Sequence, residues 1–132
     1  MPVALNHTIV WCSDQQKSAT FLAELLDRPA PIRFGPFLIV ELDNGVSLDF
    51  YQKDGPISLQ HYAFLIGEDD FDRVYGRIRD RGMSHWADPA RTKPHQINHH
   101  FNGRGVYFED PDGHFLEVIT RPYETGKPIP QA

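Results

Sequence analysis

Residues 103–119 read GRGVYFEDPDGHFLEVI. Within this stretch Gly105–Glu109 is rich in β-branched and aromatic residues and reads as a strand. Asp110-Pro111-Asp112-Gly113 is a turn signal, and 115–120 reads as the returning strand. A comparable unit lies upstream. It runs from Phe37 to Leu42, turns at Asp43-Asn44-Gly45, and returns over 46–51. Set side by side, 43–50 lines up with 111–118, so Asp49 falls opposite Glu117.

The match extends outward on the N-terminal side of both units. Leu5 to Trp11 reads as a strand, as does Gln60 to Ile66, and Asn6-His7-Thr8-Ile9-Val10 aligns with Gln60-His61-Tyr62-Ala63-Phe64. His7 therefore matches His61. A helix follows each strand. Ser13 with Gln16 is a capping-box pattern, and Phe21, Leu22, Leu25 and Leu26 recur at helical spacing, which predicts a helix over 14–27. Glu68, Asp69 and Asp70 suit a helix N-terminus. Phe71, Val74, Tyr75 and Ile78 form the apolar face, and Gly82 suits a C-terminal cap. Residues 84–87 read as a short strand, 88–102 as a polar loop and the end of the chain as irregular. The expected fold class is α+β, with two copies of one βαβββ module: 1–55, 56–121 and a tail, 122–132.

Composition narrows the function. The chain has 132 residues, the length of one domain or two small modules sharing a core. Thirteen Lys and Arg against 18 Asp and Glu give a charge of -5, which disfavours nonspecific nucleic-acid or anionic-membrane partners. No run of about 20 apolar residues exists to span a bilayer. The lone cysteine, Cys12, excludes an internal disulfide and a cysteine-based zinc or iron–sulfur site. With no basic segment ahead of an apolar run at the N-terminus, the expected location is the cytoplasm.

Strand alternation groups the polar candidates. His7 shares a face with Ile9 and Trp11, Asp49 with Ser47 and Tyr51, His61 with Ala63 and Leu65, and Glu117 with Phe115 and Ile119. A carboxylate among apolar neighbours needs a partner. Two facing modules could bring His7, Asp49, His61 and Glu117 to one point. Two imidazoles with one or two carboxylates suit one divalent transition metal, Fe, Mn, Zn, Ni or Co. A lone strand histidine is more often surface or hydrogen-bonded; the matched pairs favour a site. The donor-rich segment 91–100 reads as a loop over a cavity mouth or as a solvated loop.

The motifs NHTIVW, LQHYAFLI and GRGVYFEDPDGHFLEVI, in this order, resemble the vicinal oxygen chelate superfamily from about Leu5 to Arg121. That superfamily includes glyoxalase I, fosfomycin-resistance enzymes, extradiol dioxygenases and bleomycin-binding proteins. The resemblance implies paired βαβββ modules whose sheets curve around a metal cavity. It implies His7, His61 and Glu117 as metal ligands, and Asp49 where glyoxalase I carries a fourth ligand, normally Glu. Asp49 and Glu117 are the candidate catalytic carboxylates. Trp11, Tyr51, His99 and Arg104 are the candidate pocket residues. The expected partner is a small molecule with vicinal oxygens, and the expected assembly is a homodimer. Lyase or isomerase chemistry leads. Ring-cleaving dioxygenation and non-catalytic antibiotic binding are the alternatives.

Overall fold

The computed structural model describes residues 1–128, so the end of the expected tail, 129–132, lies outside the described residues. The chain divides into two compact units. The first is 1–59 with Asp110–Asp112, and the second is 60–109 with the chain from Gly113 onward. Each unit carries one βαβββ module and its own four-stranded mixed sheet.

In the first unit β1 is His7–Cys12, α1 Gln15–Leu25, β2 Ile32–Phe34, β3 Phe37–Glu41 and β4 Ser47–Gln52. The strand order is β1-β4-β3-β2; β1 runs parallel to β4 and the other pairs are antiparallel. Alternation sorts the faces. Val10, Cys12, Leu38, Val40, Leu48 and Phe50 are buried with Ala19, Leu22, Ala23 and Leu25 of α1, which packs on β3 and β4. Burial of a side chain such as Phe50 contributes about 1.5–3 kcal/mol. The opposite face carries His7, Ile9 and Trp11 on β1 beside Ser47, Asp49 and Tyr51 on β4. The Asp43-Asn44-Gly45 turn closes β3 onto β4 with Gly45 at φ 80°, a conformation that favours glycine.

The N-terminus of α1 differs from the capping-box expectation. Asp14 is the cap, its carboxylate accepting from the Lys17 N–H at 3.0 Å. Ser13 is engaged elsewhere: its N–H and Oγ donate to Asp112 at 3.1 and 2.6 Å, and buried Ser18 donates to the same carboxylate at 3.2 Å. Asp112 thus ties the 110–112 turn to this unit. The three prolines between α1 and β3 do not prevent β2, which pairs only with β3 and so lies at a sheet edge.

In the second unit β5 is His61–Leu65, α2 Glu68–Asp80, β6 His85–Trp86, β7 Gly105–Glu109 and β8 Phe115–Ile119. The order β5-β8-β7-β6 repeats the first sheet, again with one parallel pair, β5 and β8. Phe71, Val74 and Ile78 are the buried stripe of α2, and Val106, Phe108, Leu116 and Val118 are the buried strand residues. The acidic first turn of α2 complements its dipole. Arg81 caps the helix and Gly82 follows at φ 64°. Residues 88–104 hold no long element but are pinned. Asp88 accepts from Thr92 and Lys93, and Asn98 exchanges backbone bonds with Gly105.

The repeat is visible in the register. In the first sheet Asp49 pairs with Ile9, two residues after His7; in the second Glu117 pairs with Ala63, two residues after His61. The two histidines, and the two carboxylates, occupy corresponding positions of their own sheets.

Candidate active site

The second sheet gathers the most chemistry. Glu117 stands in the middle of β8, between Ala63 on β5 and Tyr107 on β7, and is only 1% exposed. A carboxylate so deeply buried requires partners. Its Oε1 lies 3.1 Å from His61 Nε2, and its Oε2 accepts a hydrogen bond from the Tyr123 hydroxyl. Tyr107 Oη lies 3.0 Å from Tyr123 Oη. Because Glu117 only accepts, Tyr123 donates to it and receives the Tyr107 hydrogen. His61 Nδ1 lies 2.9 Å from the Phe115 carbonyl oxygen.

Charge follows this geometry. Burial, then the bond to Tyr123 and the nearby Glu117 charge, hold the Tyr107 phenol far above its ordinary range. Burial and then the hydrogen bond to Glu117 push Tyr123 up to about 12. Both phenols therefore stay protonated donors around neutral pH. Aromatic rings frame the carboxylate: Tyr107 stacks on Phe115 with centroids 5.3 Å apart, and His61 lies 6.1 Å from Tyr107. Arg91 rests 3.9 Å over the Phe115 ring and pairs with Glu109 at 3.0 Å.

His61 and Glu117 fit a divalent metal by their donor chemistry. A carbonyl can only accept, so His61 Nδ1 carries a hydrogen, and Nε2 is the ring nitrogen turned to the carboxylate, able to donate to it as imidazolium or, with its lone pair free, to ligate a metal beside it. With Nε2 unprotonated, the two form an imidazole–carboxylate donor pair of the kind that binds a divalent transition metal. Among the described residues no group of three His, Cys, Asp or Glu side chains is arranged to hold a metal, so the structure pairs these two and adds no third.

The other sequence candidates lie as follows. His7 is exposed, with Nδ1 2.7 Å from Asn6 Oδ1. Asp49 is buried between Ile9 and Ile39, and its Oδ1 accepts from Ser47 Oγ at 2.8 Å. Trp11 and Tyr51 stack on that same face with centroids 5.0 Å apart, and Phe37 meets Tyr51 edge-on. Cys12 is buried on the other face, where burial first and nearby aspartates next push its thiol up to about 12. It is a packing residue, not a nucleophile.

Arg104 and His99 are the remaining pocket candidates. Arg104 precedes Val106 and Phe108 in alternation and so points to the helix side of the sheet. There its guanidinium binds Glu68 at 2.8 Å and Asp72 at 2.7 Å and lies 4.6 Å over the Phe71 ring. A hydrogen bond from Thr120 and then Arg104 hold the Glu68 carboxyl below its usual range, and Arg104 does the same for Asp72. His99 is exposed, and the inward residue is its neighbour His100, whose Nε2 is buried. A turn at His100–Asn102, with Phe101 and Asn102 both at positive φ, produces this placement. Sequence reasoning missed Tyr123 as well. A tyrosine in a Pro-rich tail carries no pattern that points to a carboxylate on β8. Tyr107 was readable only as an aromatic on the strand paired with β8.

The profile of the Glyoxalase/Bleomycin resistance protein/Dioxygenase superfamily matches residues 4–118. Among solved structures, oxidase ChaP-H1 is 56% identical, with TM-score 0.91 over 92% of this chain and 98% of that one. Oxidase ChaP-H2 is 54% identical, with TM-score 0.92 over 96% of this chain and 100% of that one. The glutathione transferase FosA of Serratia marcescens is 33% identical over 122 residues, covering 87% of this chain and 79% of that protein. No helix among the described residues is long and apolar enough to cross a membrane.

Proposed function

The chain belongs to the Glyoxalase/Bleomycin resistance protein/Dioxygenase superfamily, and from that premise we propose that it is a metal-dependent oxidase of a small molecule with vicinal oxygens. The observation that carries the metal site is the contact between His61 Nε2 and Glu117 Oε1, with Nδ1 anchored on Phe115. Oxidation moves ahead of the lyase or isomerase chemistry expected from sequence because of the similarity to two proteins named oxidases. The second reading is chemistry without oxygen, such as group transfer. It is supported by the similarity to FosA and to the FosB of Shouchella clausii, 30% identical and named a metallothiol transferase.

In this reading His61 and Glu117 are two ligands and His7, by the family resemblance, is the third. The bound metal supplies Lewis acidity toward two substrate oxygens and, as Fe(II), oxygen activation. The remaining work belongs to the protein. Phe115 holds the His61 ring by its carbonyl, and Tyr123 and Tyr107 keep Glu117 oriented. Asp49 is retained as a candidate base. Trp11 and Tyr51 are retained as an aromatic wall for substrate. The proposal includes a homodimer, supported by apolar residues exposed on the edge strands β1 and β5, Trp11 and Leu65 among them. Buried, reduced Cys12 accords with a cytoplasmic protein.

The test is metal analysis of the purified protein, anaerobic reconstitution with Fe(II), then oxygen uptake with a panel of vicinal diols and hydroxyketones. Oxygen uptake that needs both Fe(II) and an organic substrate supports the oxidase. Turnover of the panel without oxygen uptake favours the second reading. A wild-type protein that holds no divalent metal under any loading condition overturns both.

A further inference from the structure

We propose that His100 is a further substrate-contacting residue of the Glu117 site, its Nε2 forming a hydrogen bond to a hydroxyl of the bound substrate. The inference deepens the functional reading above and rests on it.

Nε2 of His100 is buried and has no hydrogen-bond partner among the described residues. Its neighbours are satisfied. Asn98, whose Oδ1 accepts from the His100 N–H, donates to the Ala87 carbonyl at 2.8 Å, and Glu117 is paired as described. Buried polar atoms are nearly always bonded, so one that is not marks a place where something else binds.

The backbone around His100 is held in place against local preference. Phe101 sits at φ 52°, ψ 38° and Asn102 at φ 61°, two successive non-glycine residues in the left-handed region. The His100 N–H donates to Asn98 Oδ1 at 3.2 Å, and the Gly103 N–H donates to the His100 carbonyl at 2.9 Å. Gly103 has no room for a Cβ, which would stand 2.6 Å from Arg121 Cγ, so the chain beyond the turn is confined. The Phe101 ring packs 5.5 Å from Tyr123, whose hydroxyl binds Glu117. The turn is thus tied to the carboxylate through one tyrosine.

The electrostatics agree. Burial lowers the His100 pKa, the Glu117 carboxylate is near enough to oppose that shift, and Lys93 adds to it. The imidazole is neutral at pH 7, with one nitrogen donating and the other accepting. A hydroxyl both donates and accepts, so it satisfies Nε2 in either tautomer.

The experiment uses the full chain, the vicinal-diol probe 4-nitrocatechol, and the variants His100→Phe and His100→Gln. Metal content, thermal melting and probe binding by visible absorbance are measured on each, without oxygen. We expect His100→Phe to bind the probe about tenfold more weakly with metal content and melting unchanged. His100→Gln, which keeps a hydrogen-bonding side chain, should recover part of that loss. Equal binding by wild type and His100→Phe overturns the proposal. So does loss of metal in the variant, which would make His100 a ligand. If His100→Phe does not fold, the ¹⁵N shift of His100 Nε2 in the wild type decides. Movement on adding 4-nitrocatechol supports the contact, and an unmoved signal overturns it. A wild type that loads metal but binds no probe also overturns it. A wild type that loads no metal instead defeats the functional reading, and the ¹⁵N shift still reads the His100 contact.

Discussion

Nε2 of His61 faces Oε1 of Glu117 across 3.1 Å while Nδ1 of the same ring lies 2.9 Å from the Phe115 carbonyl oxygen. His61 and Phe115 are register partners on β5 and β8, and Glu117 is two residues beyond Phe115 on the same face. The parallel pairing therefore sets both contacts at once. One strand contributes the anchor for the ring and the carboxylate that the ring meets.

Glu117→Ala removes the acceptor of Tyr123 and one proposed ligand. We expect metal loading to fall by more than about tenfold, with only a small loss of stability, because Tyr123 is 43% exposed and its hydroxyl can turn to water. Mass-spectrometric metal analysis beside urea unfolding checks both. Full metal occupancy in this variant would remove Glu117 from the ligand set.

Tyr123→Phe keeps the ring against Phe101 and deletes only the donor to Glu117. Metal affinity should fall about 10- to 100-fold, as for other groups that orient a ligand. The same variant has a signature at high pH. The Tyr123 phenol is raised to about 12 in the folded chain against about 10 unfolded. Between these values the unfolded state has lost a proton that the folded state keeps. Its contribution is whole below about pH 10 and declines as pH rises toward 12. Tyr107 is shifted in the same direction. Wild-type stability should drop over this window, and Tyr123→Phe should flatten part of the drop. Unfolding curves from pH 9 to 12 (about two units around the phenol range) provide the comparison.

Arg104→Ala separates the helix-side role of this arginine from a role in substrate binding. Its stacking over Phe71 and its two carboxylate partners are lost. A lower melting temperature is expected, with a difference from wild type that shrinks in high salt because exposed pairs are screened. Michaelis constants and metal content should not move. A raised KM with unchanged melting would return Arg104 to the pocket.

Asp112→Ala strips three donors of one acceptor, including the hydroxyl of Ser18, which is 1% exposed. About 1–3 kcal/mol of stability should be lost. Glu117, on the strand that follows this turn, should retain its metal. The two measurements together show whether Asp112 acts only by holding the turn.

The sequence determined what is local or periodic. Alternation along four strands assigned His7, Asp49, His61 and Glu117 to faces, and the structure agrees because a strand's side-chain period of two leaves no other choice once one face is buried. The turns at Gly45 and Gly113 and the stripe Phe71, Val74, Ile78 were equally legible, since each depends on neighbours in the chain. The tertiary structure decided the contacts between distant residues. Asp112 took Ser13 out of its expected capping role, Tyr123 returned from the tail to Glu117, and α2 claimed Arg104. Whether His99 or His100 turns inward depended on two left-handed residues after them, a conformation that neither Phe101 nor Asn102 announces in sequence. Hydrogen-bond partners far apart in the chain are chosen by which donors folding brings to a buried acceptor, and residue periodicity carries no record of that choice.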